Sequence, residues 1–135
     1  PLGLVLGVAL PMLAAAETAN FLTVAKIGCT PDKVTRCSSD DKCESRDASA
    51  KDKAEVLVID FAAKKASVRS AGKENGFGDI AGDEVSGEER RFSIRQLGAT
   101  DDSKSVKITL SRAGKLTLLL DGKRHRAEAT CIAES

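Results

Sequence analysis

The sequence predicts an all-β fold, a small antiparallel meander of six to seven strands that forms a barrel or a sandwich. Apolar and polar residues alternate with period two in most apolar segments, as expected of strands with one buried face. Turn signals follow at close spacing, and no stretch after residue 16 shows convincing helical periodicity. These observations predict a single β domain over residues 17–135.

The clearest strands lie in 104–131, which reads as three consecutive antiparallel strands ending on a cysteine. Aliphatic residues alternate with Lys, Thr and Ser in its first two segments. A three-residue loop at 112–114 pairs Leu110 with Leu116 and keeps the aliphatic side chains on one face, whereas a two-residue loop mixes the faces. We therefore expect the three-residue loop.

A second turn is signalled by Asp121-Gly122, a pair that tolerates the positive φ of a type I′ turn. Pairing outward from this turn places Leu120 opposite Lys123 and Leu118 opposite His125. The residues of the third strand that then share the leucine face are Ala127, Ala129 and Cys131.

Upstream, residues 55–61 are apolar on both faces and predict a central strand. A four-residue loop at 62–65 then pairs Ile59 with Val68 and keeps the faces consistent. Residues 91–97 resume the alternation, with Phe92 and Ile94 facing inward. This region contributes a hairpin and a further strand to the meander.

Two polar stretches predict loops. Residues 30–53 are small, polar and charged around their cysteines, and residues 70–89 are rich in glycine and acid, with one brief strand around Phe77 to Ala81 as an alternative. The acidic loop is a candidate contact for a macromolecular partner through Asp79, Asp83 and Glu84. It also carries one imperfect echo of a glycine-aspartate calcium repeat, for which a solvated loop is the simpler interpretation.

The first sixteen residues carry no charge and end in Ala14-Ala15-Ala16, a small-residue cleavage pattern. We interpret 1–16 as part of a signal peptide, since the apolar run is short for a membrane span. The alternative, a core helix or anchor, is disfavoured by Gly3, Gly7 and Pro11. The sequence therefore predicts a periplasmic or secreted protein with no membrane span in its mature form.

Four cysteines in the predicted mature part fit an oxidising compartment. The preferred pairing is Cys29 with Cys131 and Cys37 with Cys43, one of three possible connectivities. Neither interval has the paired two-residue spacing of a zinc ribbon, and His125 is the single histidine, so we expect no metal site.

Charge and aromatic content exclude several classes of partner. The net charge is +1, with 21 basic and 20 acidic residues, so no global field attracts nucleic acid or an anionic membrane. Trp and Tyr are absent, which disfavours base-stacking and sugar-stacking platforms. We expect a monomer that binds no nucleic acid.

The sequence gives little support for catalysis. A nucleophile activated by a general base would require His125, and no GxSxG, P-loop or HExxH pattern occurs. We therefore expect neither an enzyme nor a cofactor.

The basic run around this histidine is a second candidate partner contact, through Lys123, Arg124 and Arg126. A solvated strand end is the structural alternative.

The run Val58-Ile59-Asp60-Phe61-Ala62, the cysteines that precede it and the last strand ending in cysteine resemble small exported alpha-proteobacterial proteins of unknown function. That resemblance implies export and no particular activity. By size and all-β layout the chain is also similar to the small periplasmic inhibitors of lysozyme. The aromatic and glycine-serine motifs of those inhibitors are not evident, so no inhibitory residue is carried over.

The favoured function is a non-catalytic exported binding module that contacts a protein or envelope partner through its loops. The alternative is a small β-barrel carrier of an apolar ligand. The interior discriminates between them, since an open cavity favours the carrier and a filled one excludes it. The residues expected to line such a cavity are Phe92, Ile108, Leu116 and Leu118.

Overall fold

Nine strands and one short helix make up the part of the chain that the computed structural model describes, residues 20–38, 42–98, 105–120 and 124–134. In chain order they are β1 (Lys26–Cys37), β2 (Cys43–Asp47), α1 (Ala50–Lys53), β3 (Glu55–Asp60), β4 (Lys65–Ser70), β5 (Lys73–Ser86), β6 (Glu89–Gln96), β7 (Ser105–Ser111), β8 (Lys115–Leu120) and β9 (His125–Ala133). The all-β prediction is confirmed, although the expected strand count was too low. The predicted signal segment 1–16 lies outside the described residues.

The strands form an antiparallel barrel rather than a sandwich. Each strand from β3 to β9 pairs with the next one along the chain, and β1 pairs with both β3 and β9. This closes a ring of eight strands, β1 and β3 to β9. The remaining strand, β2, pairs with the second half of β1 outside that ring. A closed meander satisfies the backbone hydrogen bonds around the whole ring.

Both segments predicted as loops contain regular structure, which corrects the sequence interpretation. Residues 30–53 form most of β1, all of β2 and α1, and residues 70–89 contain the 14-residue strand β5. The residues of β2 are all exposed, so no inward face shows in its sequence. Pairing irregularities beside β5, between Ala66 and Ser67 and between Ala81 and Glu84, interrupt its alternation.

The predicted register holds in one hairpin and is displaced in two others. Between β7 and β8, Leu110 faces Leu116 as expected. Between β8 and β9, Leu120 faces His125 rather than Lys123, so four residues separate the paired positions. Between β3 and β4, Ile59 likewise faces Ala66 and not Val68. Each displacement is two residues, and the period of a strand is two, so the predicted inward faces are preserved.

One end of the barrel is closed by a turn at residues 21–23. The backbone N–H of Phe21 donates to the Arg112 carbonyl at 3.3 Å, and the Phe21 ring occupies the space beside Gly114. A Cβ at Gly114 would lie 2.8 Å from that ring, at a backbone φ of +93° that favours glycine. Above this turn the rings of Phe61 and Phe92 pack edge to face, with centroids 5.1 Å apart.

Both predicted disulfides are present. Cys29 and Cys131 are directly opposed on β1 and β9, where the first and last strands meet. Cys37 and Cys43 are opposed on β1 and β2. The first bond therefore fastens the closure of the ring, and the second fastens the hairpin outside it.

Candidate ligand-binding site

A cavity of about 240 Å³ opens in the half of the barrel away from the Phe21 turn. Its wall includes the first residues of β3, Leu116 and Leu118 of β8 and the first half of β9. The residues that line it are Cys29, Pro31, Val34, Asp52, Glu55, Leu57, Val68, Phe77, Leu116, Leu118, Ala127, Glu128 and Ala129.

Small side chains on β9 leave the space that forms this cavity. Ala127 faces Leu118 and Ala129 faces Leu116 across the β8–β9 pair, so two leucines lie beside alanines rather than beside larger residues. The alanine positions follow from the same alternation that places Cys131 inward. The apolar wall is thus a product of the strand register and of residue size.

The other half of the interior is filled. Phe92 and Ile108 are only 4% and 2% exposed and belong to the packed core. Of the four residues expected to line an open interior, Leu116 and Leu118 line the cavity and Phe92 and Ile108 do not. The barrel therefore has a packed half and an open half. This lies between the fully open interior and the fully filled interior that the sequence analysis considered.

Helix α1 places a carboxylate at the edge of the cavity. Ser49 caps the helix by accepting a hydrogen bond from the Asp52 backbone N–H, and the Asp52 carboxylate accepts one from the Ser49 backbone. Arg46 also donates to this carboxylate at 2.8 Å. These hydrogen bonds, that from Arg46 first, lower the pKa of Asp52 to about 2, so the group is ionised at neutral pH.

The acidic residues proposed as partner contacts are engaged within the molecule. Asp79 accepts a hydrogen bond from Lys65 at 2.6 Å, and Asp83 holds Arg90 through two bonds of 2.8 Å. Glu84 lies at the exposed side of β5. The charges of the first two carboxylates are thus compensated by cross-strand partners, which disfavours them as contacts for another molecule.

The basic candidates lie on a different part of the barrel. Arg124 is exposed before β9, and Arg126 lies 3.5 Å from Glu128 on that strand, while Lys123 lies outside the described residues. Strand β9 neighbours β8 and β1, and β5 neighbours β4 and β6, so the basic and acidic candidates do not form one surface. Partner binding by the basic residues and partner binding by the acidic residues therefore stay two separate predictions.

His125 is half-buried at the start of β9, opposite Leu120 and Arg36. It is not among the described residues that line the cavity.

A search of the described residues finds no group of three or more His, Cys, Asp or Glu side chains placed to hold a metal ion. Among the same residues, no helix has the length and apolarity needed to cross a membrane.

Several residues of the site were not singled out from the sequence. The capping pattern Ser49-x-x-Asp52 was visible there and signals a helix start inside the predicted loop. Glu55 shares the parity of Leu57 and Ile59, which predicts its position on the inward row of β3. The cavity itself has no sequence signal, because its wall combines residues from β1, β3, β4, β5, β8 and β9.

The fold and the site define a closed antiparallel β-barrel with an apolar internal cavity whose charged wall residues are acidic. Comparison of the chain with protein-family models, with curated proteins and with solved structures finds no match.

Proposed function

We propose that this protein is an exported, non-catalytic binding protein that takes a small apolar ligand into the open half of its barrel. The single observation that supports this function is the cavity of about 240 Å³ beside the Cys29–Cys131 disulfide. An apolar cavity of roughly 150 Å³ in another protein suffices to bind benzene. The space here accommodates a somewhat larger molecule and lies near the lower end of ordinary ligand sites.

Apolar lining supplies the driving force for such a ligand. Leucine, valine and phenylalanine side chains surround the space, and each square ångström of ligand surface removed from water contributes roughly 25 cal/mol. Two disulfides support the exported location, since such bonds persist in oxidising compartments. The packed half of the interior borders the cavity and gives it a rigid wall on that side.

Filling the cavity tests the proposal. Ala127 lines the space and is half-buried, so Ala127→Leu should occupy part of it without a new polar group. A neutral fluorescent probe, N-phenyl-1-naphthylamine, should bind the wild-type protein with enhanced emission. We expect Ala127→Leu to weaken that binding at least about tenfold, which corresponds to about 1.4 kcal/mol.

Ala81→Leu is the matched control, because Ala81 is exposed on β5 and does not line the cavity. It should bind the probe as the wild type does. Absence of probe binding to the wild type, or equal binding by Ala127→Leu and the wild type, would overturn the proposed function. Circular dichroism of each variant establishes that the strand content is retained.

A further inference from the structure

The charged residues that line the cavity are all acidic, namely Asp52, Glu55 and Glu128. No lysine or arginine belongs to its lining in the described part of the chain. An anionic head group would meet carboxylates of its own sign there, and a cationic one would meet the opposite sign. A lining of this composition would favour a cationic over an anionic polar end on an apolar ligand.

Two of these carboxylates already have cationic partners. Asp52 is bound by Arg46 at 2.8 Å, and Glu128 lies 3.5 Å from Arg126. Each pair neutralises much of the charge that the carboxylate would present to a ligand. These two residues shape the wall more than they attract a cation.

Glu55 differs from both, because it makes no ion pair with any residue that the structure describes. It is the first residue of β3, two positions before Leu57 on the inward row, so it lies where the apolar wall reaches solvent. Its exposure keeps the carboxylate hydrated when the cavity is empty. A cationic group that enters beside it gains a partner without competing with an existing one.

We propose that the ligand is a cationic amphiphile, a small apolar body that bears a protonated amine, with Glu55 as its counter-ion at the mouth. The inference rests on the proposed function, since it assigns the polar end of a ligand whose apolar end fills the cavity. The apolar lining holds the body and Glu55 selects the head group.

Three ligands of equal tail length separate these contributions. Octylamine, octan-1-ol and nonanoate are cationic, neutral and anionic at pH 7 and carry the same octyl tail. Each is titrated against the complex of the wild-type protein with N-phenyl-1-naphthylamine. Because one exposed attraction replaces one repulsion, we expect octylammonium to displace the probe at a concentration at least about fivefold below that of nonanoate, with octanol between them.

Glu55→Gln should bring the ratio between the displacing concentrations of octylammonium and nonanoate close to one and leave displacement by octanol unchanged. Glu84→Gln, at an exposed glutamate on β5 away from the cavity, is the matched control and should keep the wild-type ratio. Raising the salt concentration should lower the ratio in the wild type, since an exposed charge pair is screened.

The outcomes distinguish this inference from the proposed function. If octanol displaces the probe but the wild-type protein does not prefer octylammonium, the cavity binds apolar ligands and the cationic assignment is wrong. An unchanged ratio in Glu55→Gln would also overturn the role of Glu55. If the probe does not bind at all, the proposed function and the inference fall together.

Discussion

At the scale of single residues, Arg90 is the charged group most deeply placed in the described part of the chain. It is 7% exposed, and its guanidinium lies 3.4 Å from the centroid of the Phe61 ring. The guanidinium donates to both oxygens of Asp83 and to the carbonyl of Val24 at 2.8 to 2.9 Å, and to the carbonyl of Phe21 at 3.5 Å. A buried guanidinium held on all sides closes the packed end of the barrel.

Arg90→Met should therefore lower the free energy of unfolding by about 3 kcal/mol. Removal of one partner from a buried ion pair costs roughly 3–5 kcal/mol, and Asp83, with its side chain 33% exposed, regains some water. Urea unfolding with the disulfides intact measures the loss. Arg91→Met is the control, because its pair with Glu89 is exposed and should contribute less than about 1 kcal/mol.

Equal losses in the two arginine variants would contradict this account of the closed end. The sequence did not single out Arg90, since an Arg-Arg pair at a strand start is usually solvated. Arg90 is buried because the turn at Phe21 packs against the barrel, and local sequence patterns do not predict that contact. This is why the most buried charge in the described residues was missed at the sequence level.

At the scale of elements, the residue that follows β9 connects strands across the outer surface. Glu134 accepts two hydrogen bonds from Arg69 on β4, at 2.8 and 3.0 Å. Its side chain passes over Gly28 on β1, where a Cβ would collide with the carboxylate. The Arg69 hydrogen bonds, with the charges of Arg69 and Lys26, hold the pKa of Glu134 below its ordinary value of 4.5.

This contact predicts a dependence of stability on pH. Because the folded-state pKa of Glu134 is lowered, its stabilising contribution is complete above about pH 4.5 and is lost as the pH falls through the folded value. Wild-type protein should exceed Glu134→Gln in free energy of unfolding at pH 7, and the difference should shrink on acidification. Urea titrations at a series of pH values from 7 to 3 measure it.

Glu89→Gln serves as the control for that series, since Glu89 pairs with Arg91 in an exposed setting where little energy is at stake. A difference between wild type and Glu134→Gln that stays constant across the series would show that the carboxylate contributes by shape and not by charge. A wider gap at low pH would contradict the sign of the lowered pKa.

The strands also show how far alternation alone predicts elements. The inward rows of β6, β7 and β8 were recognised because each keeps its period of two, and the inward row of β9 followed from pairing with β8. The register across the β8–β9 turn was displaced because Asp121-Gly122 indicated a two-residue loop where the pairing leaves four residues. Of strand β5 only a brief segment around Phe77 to Ala81 was predicted, because pairing irregularities and many acidic residues hide its inward face.

At the scale of the whole molecule, ring closure creates the features that sequence patterns could not predict. The cavity exists because β1 and β9 meet, bringing Val34 beside Ala127 at its wall. No local pattern states how many strands close the ring or which half of the interior is filled. The cysteine pairing was the one long-range contact that the sequence predicted, because both cysteines lie in the terminal apolar segments.

The two disulfides should contribute unequally to stability. The bond Cys29–Cys131 spans 102 residues and the bond Cys37–Cys43 spans 6, so the chain-entropy model gives losses of about 5 and about 2 kcal/mol when each is removed. The double variants Cys29→Ala/Cys131→Ala and Cys37→Ala/Cys43→Ala, unfolded in urea, measure the difference. Alanine at the first pair also removes buried surface, which adds to the larger loss.

The ordering of the two losses tests whether closure of the ring limits stability. If the two double variants lose equal free energy, the contacts between β1 and β9 hold the ring without the covalent bond, and the disulfide contributes little beyond packing. If the order is as expected, the Cys29→Ala/Cys131→Ala variant should also bind the neutral probe more weakly, because Cys29 lines the cavity at the seam that opens.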